Sequence, residues 1–260
     1  MFLVTCLNES FLRYADLIYS LYKDGFNVYT YDHQGQGFSE RWISETQPAA
    51  WVNNFSDYSD DLSFYANLVS REHPRVPIYA VGCGLGGLVV AITISRTPCI
   101  VSKALLITPL LRCRCGLTLF NYVLPIPEPI AYWVTSLLCL AGLGSLRSIG
   151  FLNLENRISI SRLSTSDEEE LDALRDLRDR YSSSFANYLT NDWVKLCIQA
   201  QRQFSRRYKF VKTSTLILCA EHDELAHNRA IVDFSKNAAL SKVLIADAKH
   251  DLLFETPPIR

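Results

Sequence analysis

The stretch from Val76 to Ser95 constrains this chain more than any other. An apolar run ends in four glycines within six residues, Gly82, Gly84, Gly86 and Gly87, and a second apolar run follows. The pattern predicts a strand, a tight turn and a buried helix. Glycines crowded at such a turn imply left-handed backbone angles and a backbone that comes close to something. Two chemistries use that geometry. Gly82, Gly84 and Gly87 fit the Gly-x-Gly-x-x-Gly loop that cradles a dinucleotide pyrophosphate. Gly82-Cys83-Gly84-Leu85-Gly86 fits the nucleophile-elbow turn Gly-x-Ser-x-Gly at every position except the serine.

The flanking sequence reads as a parallel α/β protein. Met1 to Cys6 and Phe26 to Tyr31 have strand character, and Glu9 to Asp24 between them has the apolar spacing of a helix with a wide buried face. Together they form one βαβ unit ahead of the glycine turn. Asp32 to Ser39 is a glycine-rich turn, and Phe55 to Glu72 is a helix. Lys103 to Thr108, Thr213 to Ala220 and Ser241 to Ala246 are further strands, with a helix from Asn228 to Asn237. Between Pro109 and Lys209 no parallel-sheet strand is obvious. Asp167 to Tyr181 is a charge-dense helix with the Ser166 hydroxyl placed to cap it, and Asn191 to Arg206 is amphipathic. The organisation expected is a core of residues 1–108 and 210–260 with a helical cap inserted at 109–209.

Composition excludes more than it indicates. The 260 residues suffice for one α/β domain with a cap. A net charge of −1 gives no basis for nucleic-acid binding. The eight cysteines form no Cys-x-x-Cys pair and no cluster of ligands at metal spacing, which predicts reduced thiols in the cytoplasm, no metal and no cofactor. Met1 to Val4 lacks the basic lead of a signal peptide. Cys115 to Leu146 carries one charge, Glu128, but Pro125, Pro127 and Pro129 interrupt it, and Ile130 to Leu146 is short for a membrane span. This segment is expected to line the inside of the cap, with contact to a membrane surface as the second reading.

The dinucleotide loop needs an acidic residue at the end of the next strand to hold the ribose. That strand ends Leu106-Ile107-Thr108-Pro109, and Arg112 and Arg114 are the only groups nearby that suit a 2′-phosphate. The elbow needs an acid and then a histidine in loops after later strands. Asp223 follows the strand ending at Ala220, and His250 follows the strand ending at Ala246. Order, strand context and spacing favour the elbow.

The chain resembles the lysophospholipase and monoacylglycerol lipase branch of the α/β-hydrolases. The resemblance is carried by Glu9-Ser10, Arg13-Tyr14, the run Asp32 to Arg41, Gly82 with Gly86-Gly87, Ala220 to Glu224, Asn228-Arg229 and Ala248 to Glu255. It implies an α/β-hydrolase fold with a mostly parallel sheet, helices on both faces and a cap over an acyl pocket, here without the family's first strands and closing helix. The implied substrate is a single-chain lipid ester or lysophospholipid. Asp223 would be the acid and His250 the base. The family's His-Gly pair falls at Thr5-Cys6, so the oxyanion donors would be the backbone N–H groups of Leu7 and Leu85.

At the nucleophile position this chain has Gly84. Loss of such a nucleophile costs about 10⁶ in kcat, which leaves esterase activity strongly reduced or absent. Three alternatives stay open on the sequence: Cys83 as a substitute thiol, a water held by His250 in the space a serine would fill, and a non-catalytic protein that binds lipid or a partner.

Overall fold

The computed structural model describes residues 1–43, 48–119, 122–148, 164–237 and 239–257. In chain order the elements are β1 (Phe2–Val4), a 3-10 turn at Phe11–Tyr14 that runs into α1 (Ala15–Lys23), β2 (Tyr29–Tyr31), β3 (Ala49–Ala50), α2 (Ser56–Glu72), β4 (Tyr79–Cys83), α3 (Leu85–Arg96) and β5 (Lys103–Ile107). There follow β6 (Gly116–Leu119) and β7 (Tyr122–Pro125), α4 (Glu128–Leu140), α5 (Glu168–Arg180), β8 (Tyr188–Leu189), α6 (Asn191–Arg207), β9 (Ser214–Ala220), α7 (Asn228–Phe234) and β10 (Leu240–Ile245).

Six strands form one sheet in the order β10-β9-β5-β4-β1-β2. Every pairing in it is parallel. The register aligns Val4 with Gly82, Cys83 with Ile107 and Ile107 with Leu218, so the carboxyl ends of β1, β4, β5 and β9 finish level. The chain runs outward from β1 to β2, then returns to place β4 on the other side of β1. Loops leaving β1 and β4 therefore diverge, and a crevice opens between them at the point where open α/β sheets bind ligands.

The helix α3 packs behind that crevice. Leu85, Leu88, Val89, Val90, Ala91 and Ile94 are all fully buried, as expected for an apolar helix over a parallel sheet. Its outer side meets α2 and α6. From α6, Trp193, Val194, Cys197 and Ile198 join the same core as the sheet. The last helix of the 109–209 span is thus packed on the sheet layer. The rest of that span holds the antiparallel hairpin β6–β7, helices α4 and α5, and β8, which pairs in parallel with β3.

Three expectations are corrected. The core face of α1 is narrow, not wide: Leu17 and Ile18 pack half-buried against the core, while Tyr19 and Tyr22 are 63% and 67% exposed. The face of α4 bearing Ile130, Trp133, Val134, Leu137 and Leu140 points to solvent, not into a cap interior; only Ala131 and Thr135 of this helix are buried. The cap of α5 is Asp167, whose carboxylate accepts from the N–H groups of Glu169 and Glu170, and Ser166 only precedes it.

Turn Asp32 to Arg41 is built by its own polar groups. The Asp32 carboxylate accepts from the N–H groups of Phe11 and Phe38, and Arg41 donates to the carbonyls of Gly35 and Gly37. His33 is buried and donates from Nε2 to the carbonyl of Thr5 at 3.2 Å, which ties the turn to the loop after β1. Burial lowers the pKa of His33 to about 4. The unfolded chain takes up this proton below about pH 6.5, whereas the folded one resists until about pH 4. Stability is therefore present above pH 6.5 and lost as pH falls, by about 3 kcal/mol from this group. Urea unfolding of His33→Gln between pH 7 and 4 is expected to show a flatter decline than the parent; an unchanged slope would mean that His33 is not held neutral.

Candidate active site

The crevice between β1 and β4 collects the residues singled out from the sequence. Strand β4 ends at Cys83, and Gly84 caps α3 with φ 49° and ψ −109°. The left-handed φ is one an L side chain rarely adopts, and it turns the backbone sharply from strand into helix. The turn is also tight: a Cβ at Gly86 would overlap the carbonyl oxygen of Val4 at the end of β1. These glycines let strand, turn and helix pack closely.

Asp223 and His250 come together as the strand ends predict. His250 Nδ1 donates to Asp223 Oδ2 at 2.8 Å, and both residues are 1% exposed. The other carboxylate oxygen, Oδ1, accepts from the N–H groups of Leu225 and Ala226, each at 2.8 Å, so the acid is fixed by backbone. Burial opposes charge on Asp223, but the His250 charge and these hydrogen bonds overcome it and hold the carboxyl below its usual range. Burial likewise works against an imidazolium, yet the Asp223 carboxylate, with a smaller push from the Cys6 sulfur, raises His250 well above the ordinary value. His250 Nε2 is buried and has no hydrogen-bond partner. It faces the elbow, 3.1 Å from where a Cβ on Gly84 would lie.

The space beside Gly84 is filled. The same Cβ would overlap the sulfur of Cys6, from the loop after β1. The sulfur takes the position of a serine side chain, so a water held by His250 would have to sit beside Cys6. Cys83 fares poorly: it is buried at the end of β4, and burial pushes its thiol far above its normal pKa. Leu85 is the first residue of α3, so its N–H is among the donors a helix leaves free, and Leu7 is buried in the loop after β1. Among the described residues the cleft at Cys6, Gly84 and His250 has a volume of about 10 Å³, room for roughly one water. That is far too small for a dinucleotide, and the fingerprint reading of Gly82, Gly84 and Gly87 fails on it. Larger clefts of about 560 and 340 Å³ are lined by neither Gly84, Asp223 nor His250.

Two polar clamps position the loops, and the sequence showed their members only as motif letters. Arg13, largely buried, pairs with Glu9 and with Asp251 at 3.0 Å, and stacks on the Phe254 ring at 3.9 Å. Tyr14 donates its hydroxyl to Glu9 at 2.5 Å. The second clamp is Glu255, fully buried, which accepts from the N–H groups of Lys249 and Ser166. The residue at the site that sequence reading passed over is Cys6. Its signal was the departure from His-Gly at Thr5-Cys6, but nothing in the spacing put residue 6 against residue 84.

Parallel sheet, elbow turn and an Asp–His pair at successive strand ends define an α/β-hydrolase fold. The family model described as serine aminopeptidase, S33, matches residues 1–257, and the chain belongs to that family. Among curated proteins it is similar to lysophospholipase L2 of Escherichia coli (strain K12), 27% identical over 279 residues, covering 97% of this chain and 74% of that protein. It is also similar to monoglyceride lipase of Rattus norvegicus, 28% identical over 124 residues, covering 44% of this chain and 38% of the relative. The fold is that of the monoacylglycerol lipase of Paleococcus ferrophilus, with TM-score 0.73, 15% identity, and coverage of 98% and 88% of the two chains. A soluble variant of monoglyceride lipase from Saccharomyces cerevisiae, in complex with a substrate analog, gives TM-score 0.73 at 15% identity over 99% of this chain and 81% of its own. No helix among the described residues is long and apolar enough to cross a membrane.

Arg13→Met leaves the buried carboxylates of Glu9 and Asp251 without their counter-charge. The expected cost is about 3–5 kcal/mol in urea unfolding. Adding Glu9→Gln and Asp251→Asn to it should recover most of the loss, which separates charge burial from lost packing.

Proposed function

We propose that this chain carries the site of a carboxylic ester hydrolase for single-chain lipid esters, of the lysophospholipase and monoacylglycerol lipase kind, with serine-type activity strongly reduced or absent. In this reading Gly84 stands at the nucleophile position, Asp223 is the acid, His250 the base, and the N–H groups of Leu7 and Leu85 are the oxyanion donors. The observation that carries it is the buried Asp223–His250 pair whose unpartnered Nε2 faces Gly84. A base oriented by an acid and aimed at an elbow is the arrangement acyl transfer requires. The names of the relatives support the substrate class.

The 109–209 segment is read as the cap. The exposed apolar face of α4 fits contact with a membrane surface, where lipid esters reside: Ile130, Trp133, Val134, Leu137 and Leu140 follow helical spacing on one side. Eight unpaired cysteines suit a reducing, cytoplasmic setting for such a peripheral protein. The second reading, a lipid-binding protein without turnover, is favoured by the filled space at Gly84.

Gly84→Ser alone is expected to stay inactive on lysophospholipid and monoacylglycerol, because the new Cβ meets the Cys6 sulfur. Gly84→Ser with Cys6→Gly clears that overlap and should hydrolyse these esters at least tenfold faster than the parent. A folded double variant without hydrolysis, beside a parent that hydrolyses no ester either, would remove the ester-hydrolase reading and leave the binding one. For the membrane face, Trp133→Glu with Leu137→Glu should abolish co-sedimentation with phosphatidylcholine vesicles; binding that persists would exclude α4 as the contact.

A further inference from the structure

We propose that Cys6 is the nucleophile of this site, attacking from the loop after β1 where a serine would attack from the elbow. The inference rests on the ester-hydrolase reading and replaces its missing group. Three observations converge. The Cys6 sulfur occupies the position that a side chain on Gly84 would take. His250 Nε2 lies 3.1 Å from that same position and is buried without a partner. Asp223 holds Nδ1 of the imidazole at 2.8 Å, which leaves Nε2 as the ring nitrogen facing Gly84, beside which the sulfur lies. Thiol, imidazole and carboxylate thus follow one another in the order that nucleophilic catalysis uses.

The loop is held for this purpose. Thr5 is anchored through its carbonyl by His33, and the N–H of Cys6 donates to the Tyr14 hydroxyl at 3.3 Å. Asn8, at φ 58°, donates from its N–H to Gln36, while its side chain exchanges hydrogen bonds with the backbone of Ala186. The sulfur also sits close to the N-terminal end of α3, whose dipole favours a developing negative charge. Leu7 supplies the N–H of the residue after the nucleophile, the usual source of one oxyanion donor.

The chemistry balances without a cofactor. In the molecules whose imidazole is neutral, the thiol proton passes to His250 Nε2 as sulfur bonds to the ester carbonyl carbon. The carbon–oxygen bond to the alcohol then breaks, and His250 returns the proton to the leaving oxygen. Water, deprotonated by His250, attacks the thioester, and the acid leaves as sulfur regains the proton. The cleft beside Cys6 has room for about one water, so short acyl groups are the ones that reach the sulfur with least displacement of its walls, Leu253 and Phe254.

The test uses the full chain and p-nitrophenyl acetate, with intact mass and peptide mapping. The parent should gain one acetyl group, mapped to Cys6 and removed by neutral hydroxylamine as a thioester is. His250→Gln should acetylate on the order of 10²-fold more slowly. Cys83→Ala should acetylate as the parent does. Cys6→Ser, close in shape and folded by circular dichroism, should lose the hydroxylamine-sensitive adduct. An acetyl group found only on lysine, neither adduct nor p-nitrophenol release, or equal rates in the parent and His250→Gln would each overturn the proposal. An inactive Cys6 in the parent beside an active Gly84→Ser, Cys6→Gly double variant would overturn it alone and leave the ester-hydrolase reading standing.

Discussion

The end of β1 and the start of α3 touch, and no side chain fits between them. At Gly86 the obstacle is the Val4 carbonyl, and at Gly84 it is the Cys6 sulfur. This contact sets the geometry of everything around the site. It fixes where the loop after β1 leaves the sheet and brings residue 6 beside Gly84 and His250; two residues on, Asn8 is left-handed. Parallel strands that end level make it unavoidable, because adjacent loops leave from the same edge of the sheet.

What the sequence revealed about this arrangement followed the range of the interactions. Strand runs and the glycine turn are local signals, and the six-stranded parallel sheet was legible from them. The pairing of Asp223 with His250 was legible too, since strand-end positions in a parallel sheet converge whatever lies between. Burial of helix faces was not. The apolar spacing of α1 and of Ile130 to Leu140 resembles that of core helices, and only packing decides which apolar stripe is covered. Cys6 was read as a departure from a family glycine, but its contact with Gly84 joins positions far apart in the chain and leaves no periodic trace.

Many of the residues that carried the resemblance turn out to hold loops in place. Asp32 closes its own turn, Arg13 bridges Glu9 to Asp251, and Glu255 gathers the N–H groups of Lys249 and Ser166. Arg13 and Glu255 are charged groups taken from water, and each has charged or backbone partners beside it, as buried charges require. Together they connect the loop after β1, the turn after β2 and the loop of His250. The Asp223–His250 pair is therefore supported by polar contacts that are independent of what occupies position 84.

The mutual exclusion at Cys6 and Gly84 gives the site a direction in evolutionary time. A serine arriving at 84 while Cys6 is in place meets both steric overlap and a left-handed backbone. A glycine arriving at 6 first opens a void and removes the sulfur before any hydroxyl exists. Neither single step keeps the space filled without overlap, so the residues at 6 and 84 are coupled and a change at one alters what the other can hold.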